Sequence, residues 1–125
     1  MKIVALLAAL AAPLLAQSAP AHAADAPAFN GEQLFRQRCQ ACHQVVAGRP
    51  SATGPNLSGV VGRKAGAAAF SYSAALKGSN LTWTPAGLDQ YLAAPARMVP
   101  GTRMVVSVTN PAQREAIIQY LSRTR

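Results

Sequence analysis

Apolar residues recur at helical spacing between positions 34 and 39, a few residues after Asn30, a residue type that often caps helices. Asn30 can accept a hydrogen bond at a helix start, and Gln33 stands where a capping box needs it. This pattern predicts a helix from about Gly31 to Ala41. The apolar positions that would face inward are Leu34, Phe35 and Cys39.

Two further helix starts consist of a capping residue followed directly by proline. Thr84 and Pro85 form a cap and first-turn pair, which predicts a helix from about Pro85 to Ala93 that Pro95 stops. Asn110 and Pro111 predict a third helix that continues to the end of the chain. The apolar face of this third helix consists of Ala116, Ile117, Tyr120 and Leu121.

Residues 44–81 have no long period and are rich in Gly, Ser, Ala and Pro, which indicates loops with one helical turn around Ser73 to Lys77. The run from Met104 to Val108 has the composition of a strand, but no partner run exists, so we expect an extended loop. The prediction is an all-α domain with three main helices. A loop region this long in a small domain usually wraps something.

The first 23 residues are typical of a secretory signal peptide: Lys2 precedes an apolar run, and Ala21-His22-Ala23 is a small-x-small cleavage site. We therefore expect a signal peptide at 1–23, a single domain at 24–125 and a periplasmic location. The alternative is a retained membrane anchor, but Pro13 interrupts the run, which is shorter than the roughly 20 residues that a spanning helix needs.

The charge is strongly basic. Without Lys2, the domain has 11 Lys and Arg against 4 Asp and Glu, a net charge of +7. This balance favours acidic partners or simply a well-solvated surface. The basic residues are dispersed and no aromatic run is interleaved with them, so a nucleic-acid stacking platform is not expected.

The stretch CQACH carries the chemistry. Cys39 and Cys42 can bond to one flat group from the same side, and His43 can then ligate a metal at its centre, which is the pattern for covalent c-type haem. A redox dithiol is disfavoured because the pair follows a helix and no strand precedes it. A zinc site lacks a fourth ligand, and a disulfide would close a very short loop.

The second iron ligand has two candidates. His22 leaves with the signal peptide, so the soft ligands that remain are Met98 and Met104, unless that side of the iron is open. Histidine and methionine together close the iron to oxygen and favour one-electron transfer. The four acidic residues are too scattered to form a catalytic constellation, so an enzyme is not expected.

Beyond the CQACH stretch, the chain resembles class I cytochrome c over nearly the whole predicted domain. The segments that carry the resemblance are GEQLFRQRCQACH, TGPNLSGVVGRKAG, FSYSAAL, LTW, YLAAPARMVPGTRM and IIQYL, which follow the family's order and spacing. The resemblance implies one covalent haem c, wrapped by three main helices and long loops.

The resemblance also implies roles for single residues. Met104 matches the ligand methionine, which ranks it above Met98, and Tyr91 matches the tyrosine whose hydroxyl lies near the methionine sulfur. Pro55 matches the proline whose carbonyl accepts the far ring proton of the ligand histidine, here His43. The positions that match those holding the haem propionates in the family are Arg63, Tyr72, Trp83 and Thr102. Gly31 and Phe35 match the contact of the first helix with Tyr120 on the last helix.

Arginines would supply the basic ring around the haem edge, where relatives often have a lysine and this chain has Ala96. Much of that ring would come from Arg38, Arg97 and Arg103. Leu76 replaces a polar side chain of mitochondrial relatives, so the fine tuning of the potential does not carry over.

The resemblance implies a soluble, monomeric, periplasmic one-electron carrier. Its partners would be acidic faces of redox complexes, with a quinol-cytochrome c reductase as donor and an oxidase, reductase or reaction centre as acceptor. The alternatives are a dedicated subunit of a periplasmic dehydrogenase, or a peroxidase or ligand sensor with a labile methionine.

Overall fold

Five helices and the loops that join them make up the fold of the described residues. The structure is a computed structural model that describes residues 28–51 and 53–125; the predicted signal peptide lies outside them. The helices are α1 (Gly31–Arg38), α2 (Ala74–Lys77), α3 (Pro85–Ala93), α4 (Pro95–Met98) and α5 (Pro111–Leu121). None of the helices in these ranges has the length and apolar character needed to cross a membrane.

Four helix starts are fixed by side chains that accept a hydrogen bond from the amide three residues further on. The donor to acceptor distances are 3.0 Å at Asn30, 3.2 Å at Ser73, 3.0 Å at Thr84 and 3.2 Å at Asn110. Each cap satisfies a backbone N–H that the helix itself leaves without a partner. The helix starts predicted at these positions are confirmed.

Two helix boundaries differ from the prediction. Helix α1 ends at Arg38 rather than Ala41, because the amides of Cys39 and Gln40 both donate to the carbonyl of Phe35, at 2.8 and 3.0 Å, and the chain then turns. Pro95 ends α3 as predicted, but it also begins α4, which the sequence did not predict. A proline fits the first position of a helix as well as it stops the preceding one.

Helices α1 and α5 form the most extensive helix–helix contact of the described residues. Gly31 has no Cβ, and a Cβ there would lie 2.0 Å from the carbonyl oxygen of Ala116, so only glycine allows this approach. The rings of Phe35 and Tyr120 are 5.6 Å apart, which confirms the predicted contact. Helix α5 also packs on α3, and α3 packs on α4. On α5, Ile118 is buried in addition to the predicted positions, whereas Tyr120 is half-buried.

Backbone hydrogen bonds close the loop that contains α2. The amide of Gly62 donates to Trp83 at 2.8 Å, and the amide of Trp83 donates to Arg63 at 2.9 Å. The amide of Ala65 donates to Leu81 at 2.8 Å, beside an isolated antiparallel bridge between Lys64 and Thr82. The run from Met104 to Val108 is extended without forming a strand, as predicted.

Candidate haem site

The two cysteines and the histidine lie in the turn that follows α1. The amides of Cys42 and His43 both donate to the carbonyl of Cys39, at 3.1 and 2.9 Å, which folds the three residues into one compact turn. Both cysteines are half-buried free thiols. Burial raises the pKa of the Cys39 thiol to about 11, while the charge of Arg38 acts against this shift. The thiol of Cys39 is therefore protonated at neutral pH.

The His43 ring is held by one hydrogen bond and one close backbone contact. Its Nδ1 lies 2.7 Å from the carbonyl oxygen of Pro55. Because a carbonyl oxygen only accepts, the ring hydrogen is on Nδ1, which leaves the lone pair on Nε2. Burial lowers the pKa of His43, and the Pro55 carbonyl partly opposes this shift. The ring is thus a neutral imidazole with one nitrogen available to a metal.

Gly54 sets the position of this ring, a role that the sequence did not reveal. A Cβ at Gly54 would lie 2.5 Å from Cε1 of His43, and its amide donates to the carbonyl of Cys42 at 2.9 Å. The loop after the cysteines therefore lies flat against the ring. A glycine before a proline is common in loops, so no local signal distinguishes this one.

A chain of contacts joins Tyr91 to Met104. The Tyr91 hydroxyl lies 2.5 Å from Oγ1 of Thr102, which accepts a long hydrogen bond of 3.5 Å from the amide of Met104. Burial raises the pKa of Tyr91, and the bond to Thr102 acts against it. Both Met104 and Met98 are half-buried against the core, so burial alone does not choose between them. Of the two methionines, Met104 is the one whose amide is hydrogen-bonded to Thr102.

The residues predicted to meet the propionates are buried or half-buried, but they do not form one hydrogen-bonded cluster. Trp83 packs on Tyr91 with ring centroids 4.9 Å apart, and Tyr72 packs edge-on against Phe70 at 5.2 Å. The Arg63 guanidinium donates to the carbonyls of Asn56 and Ser58, at 2.8 and 3.0 Å, through its two terminal nitrogens. Its Nε is the single buried side-chain nitrogen or oxygen in residues 28–51 and 53–125 that has no partner.

The three arginines predicted to ring the haem edge are exposed. Arg103 also donates to the carbonyl of Ser71, so one member of the ring is held by the loop that contains α2.

Across the two described ranges, no group of three or more His, Cys, Asp and Glu residues could hold a metal ion. A zinc site built from such groups is therefore not found in this part of the chain.

A family model described as Cytochrome c matches residues 28–125. The chain belongs to the cytochrome c family. Cytochrome c2 of Rhodomicrobium vannielii is 46% identical over 116 residues, which cover 91% of each protein. Cytochrome c of Guizotia abyssinica is 42% identical over 108 residues, or 85% of this chain and 96% of that protein. Among solved structures, cytochrome cH from Methylobacterium extorquens matches with a TM-score of 0.68 and 44% identity, covering 74% of this chain and 93% of that one.

Membership of the cytochrome c family confirms several predictions. The fold is that of class I cytochrome c, the cofactor is covalent haem c, and the chain is an electron carrier rather than an enzyme. Cys39 and Cys42 have the spacing that covalent haem attachment needs. The family does not by itself assign the remaining site residues of this chain.

The residues present fit the haem. A free Nε2 on a neutral His43 and a half-buried thioether at Met104 are donors suited to haem iron, and the thiols of Cys39 and Cys42 are the groups that covalent attachment needs. A buried N–H without an acceptor costs about 1 to 3 kcal/mol, so the Nε of Arg63 is suited to an acceptor that the protein itself does not supply. A haem propionate is such an acceptor.

Proposed function

We propose that this cytochrome is a soluble, periplasmic one-electron carrier with His43 and Met104 as the axial ligands of a haem held through Cys39 and Cys42. The observation that carries the proposal is the 2.7 Å bond from Nδ1 of His43 to the carbonyl of Pro55, since it fixes the tautomer that leaves the Nε2 lone pair free for a metal. When bound, the haem supplies an iron that gains and loses one electron reversibly. The protein's part is to hold that iron without rearrangement.

His43 is held from two sides in this proposal. The Pro55 carbonyl keeps the proton on Nδ1 and makes Nε2 a better donor, as outer partners of metal-ligating histidines do. Gly54 prevents the ring from turning, because the backbone lies directly against it. A fixed ligand keeps the reorganisation that accompanies electron transfer small.

Met104 is favoured over Met98 as the other ligand. The amide of Met104 is bonded to Thr102, and Thr102 is bonded to the buried Tyr91 on α3. This chain of contacts ties the methionine backbone to a helix of the core. A thioether opposite a histidine raises the reduction potential relative to a second histidine.

The propionate carboxylates would be met by donors from separate loops. Arg63 offers its Nε, and Tyr72 and Trp83 offer a phenol and an indole N–H. Tyr91 can donate to Thr102, which leaves the threonine hydrogen free for a carboxylate. Such donors offset the cost of burying a carboxylate.

The partners would be redox complexes with acidic faces, with a quinol-cytochrome c reductase as donor and an oxidase, reductase or reaction centre as acceptor. The net charge of +7 on residues 24–125 and the exposed arginines at 38, 97 and 103 support partners with acidic faces. We propose that residues 1–23 direct export and are then cleaved. Residues 24–125 would remain as a monomeric domain.

The test of the ligand assignment is an optical spectrum of the protein expressed with a haem-maturation system. We expect a c-type spectrum when reduced and, when oxidised, the near-infrared band of methionine bound to ferric iron. Met104→Ala should remove that band, whereas the matched variant Met98→Ala should keep it. The reverse result would overturn the assignment, and covalent haem without the band in the unmodified protein would indicate an open iron and favour a peroxidase or sensor.

A further inference from the structure

Arg114 connects three parts of the fold, one of which is the segment that follows the candidate ligand Met104. The side chain is on α5 and is only 11% exposed. Its Nε donates to Oδ1 of Asp89 on α3 at 2.6 Å. Its Nη1 donates to the carbonyls of Val108 and Thr109, at 3.0 and 2.9 Å. One guanidinium therefore links α3, α5 and the segment that follows Met104.

The segment after Met104, residues 105–109, has few other anchors. Val105 is 91% exposed and Val106 is 41% exposed, so neither holds the segment to the core. Val108 is buried, and its amide donates to the carbonyl of Leu92 on α3 at 2.7 Å. The attachment of the segment is thus concentrated where Arg114 binds.

We propose that Arg114 is a positioning residue for Met104, holding residues 105–109 against α3 so that the thioether stays at the iron. This inference rests on the proposed function, in which Met104 is a ligand. A thioether is a neutral, weak ligand, so its occupancy depends on how firmly its loop is placed. Bonds from a guanidinium to carbonyls are charge-assisted and stronger than neutral ones.

The two carbonyl bonds matter more than the ion pair. Asp89 is 44% exposed, and ion pairs with an exposed partner contribute little because water screens them. The carboxylate instead orients the guanidinium, whose planar fork can serve Asp89 and the carbonyls together. A lysine at this position could keep the charge but could not reproduce that fork.

The experiment measures how easily an added ligand displaces the methionine. Imidazole is titrated into the ferric protein with haem attached, and the dissociation constant is read from the optical spectrum. We expect imidazole to bind about tenfold more tightly to Arg114→Ala, which corresponds to about 1.4 kcal/mol. Arg114→Lys, which disturbs folding less, should bind it about threefold more tightly.

Two control variants separate positioning from stability. Arg36→Ala removes the exposed ion pair with Glu32 on α1, and it should leave imidazole binding unchanged. Tyr120→Leu disturbs the contact with Phe35 between α1 and α5, so it should lower the urea midpoint without tightening imidazole binding. Hydrogen exchange of the Val108 amide should accelerate in both Arg114 variants by more than their loss of global stability explains, stay unchanged in Arg36→Ala, and accelerate in Tyr120→Leu by no more than its loss of global stability explains.

The possible results are distinct. If the unmodified protein lacks the near-infrared methionine band, the ligand assignment fails and this inference fails with it. If the band is present but both Arg114 variants bind imidazole within twofold of the unmodified protein, Arg114 is merely structural and the proposed function stands. If Tyr120→Leu tightens binding as much as Arg114→Ala does, general destabilisation is the cause and the inference is again wrong.

Discussion

Replacing Gly54 by alanine tests whether the backbone holds the His43 ring in place. The added carbon would lie 2.5 Å from Cε1, 2.8 Å from Nδ1 and 2.9 Å from Nε2 of that ring. Nonbonded carbons are in contact at about 3.5 to 4.0 Å, so the ring must move by about 1 Å. The 2.7 Å bond to Pro55 cannot survive such a shift.

The expected loss follows from these two effects. Overpacking costs about 1 to 3 kcal/mol, and the lost hydrogen bond adds about 1 kcal/mol. We therefore expect Gly54→Ala to lower the free energy of unfolding by about 2 to 4 kcal/mol. The φ angle of Gly54 is outside the left-handed region, so the backbone itself accepts alanine.

The assay is urea unfolding of the protein with haem attached, followed by far-ultraviolet circular dichroism and by the optical spectrum. Gly78→Ala is the matched control, because its φ is −83° and the added carbon would lie 3.3 Å from the carbonyl of Ala74. The control should stay within about 0.5 kcal/mol of the unmodified protein. If Gly54→Ala behaves like this control and keeps the unmodified spectrum, the ring is not held as we argue.

Three further predictions concern the core, the pH dependence and the charge. Gly31→Val places a carbon against the Ala116 carbonyl, so we expect unfolding in urea to become easier by about 3 kcal/mol; an unchanged midpoint would contradict the close approach of α1 and α5. Burial raises the pKa of Tyr91 above 10.0, so the folded protein keeps a proton that the unfolded chain loses. Tyr91 therefore contributes stability that is present below about pH 10 and declines at higher pH, and Tyr91→Phe should flatten this decline in unfolding measured from pH 9 to 11; equal slopes would refute the assignment. Electron transfer with an acidic redox partner should slow steeply as salt is added, because the protein's positive charge steers association; stopped-flow rates that do not depend on salt would exclude docking by charge.

The helix starts could be predicted from the sequence because caps are local. Asn30, Thr84 and Asn110 each act on an amide three residues away, so a short window contains all the information. The end of α1 was harder to predict, since no particular residue type marks the two amides that share the Phe35 carbonyl. Pro95 both follows the end of α3 and begins α4, and the sequence alone indicated only the first of these.

The candidate site also contains some residues that local sequence could predict and others that it could not. The chemistry of Cys39, Cys42 and His43 follows from residue types at fixed spacing. The bond from His43 to Pro55 was expected only through the resemblance to a family, because a carbonyl acceptor has no side-chain signal. Arg114 was not predicted at all, since its role depends on a carboxylate of α3 that the fold brings close and on carbonyls of the loop just before α5, which have no side-chain signal.

The contact of Gly31 with Ala116 has a consequence for biogenesis. The two residues are 85 positions apart in the sequence, and α5 is the one helix among the described residues on which α1 packs. The contact cannot form until α5 has been synthesised, and closing the long loop between the two helices costs entropy. Until then, the face of α1 that packs on α5 has no partner helix among the described residues.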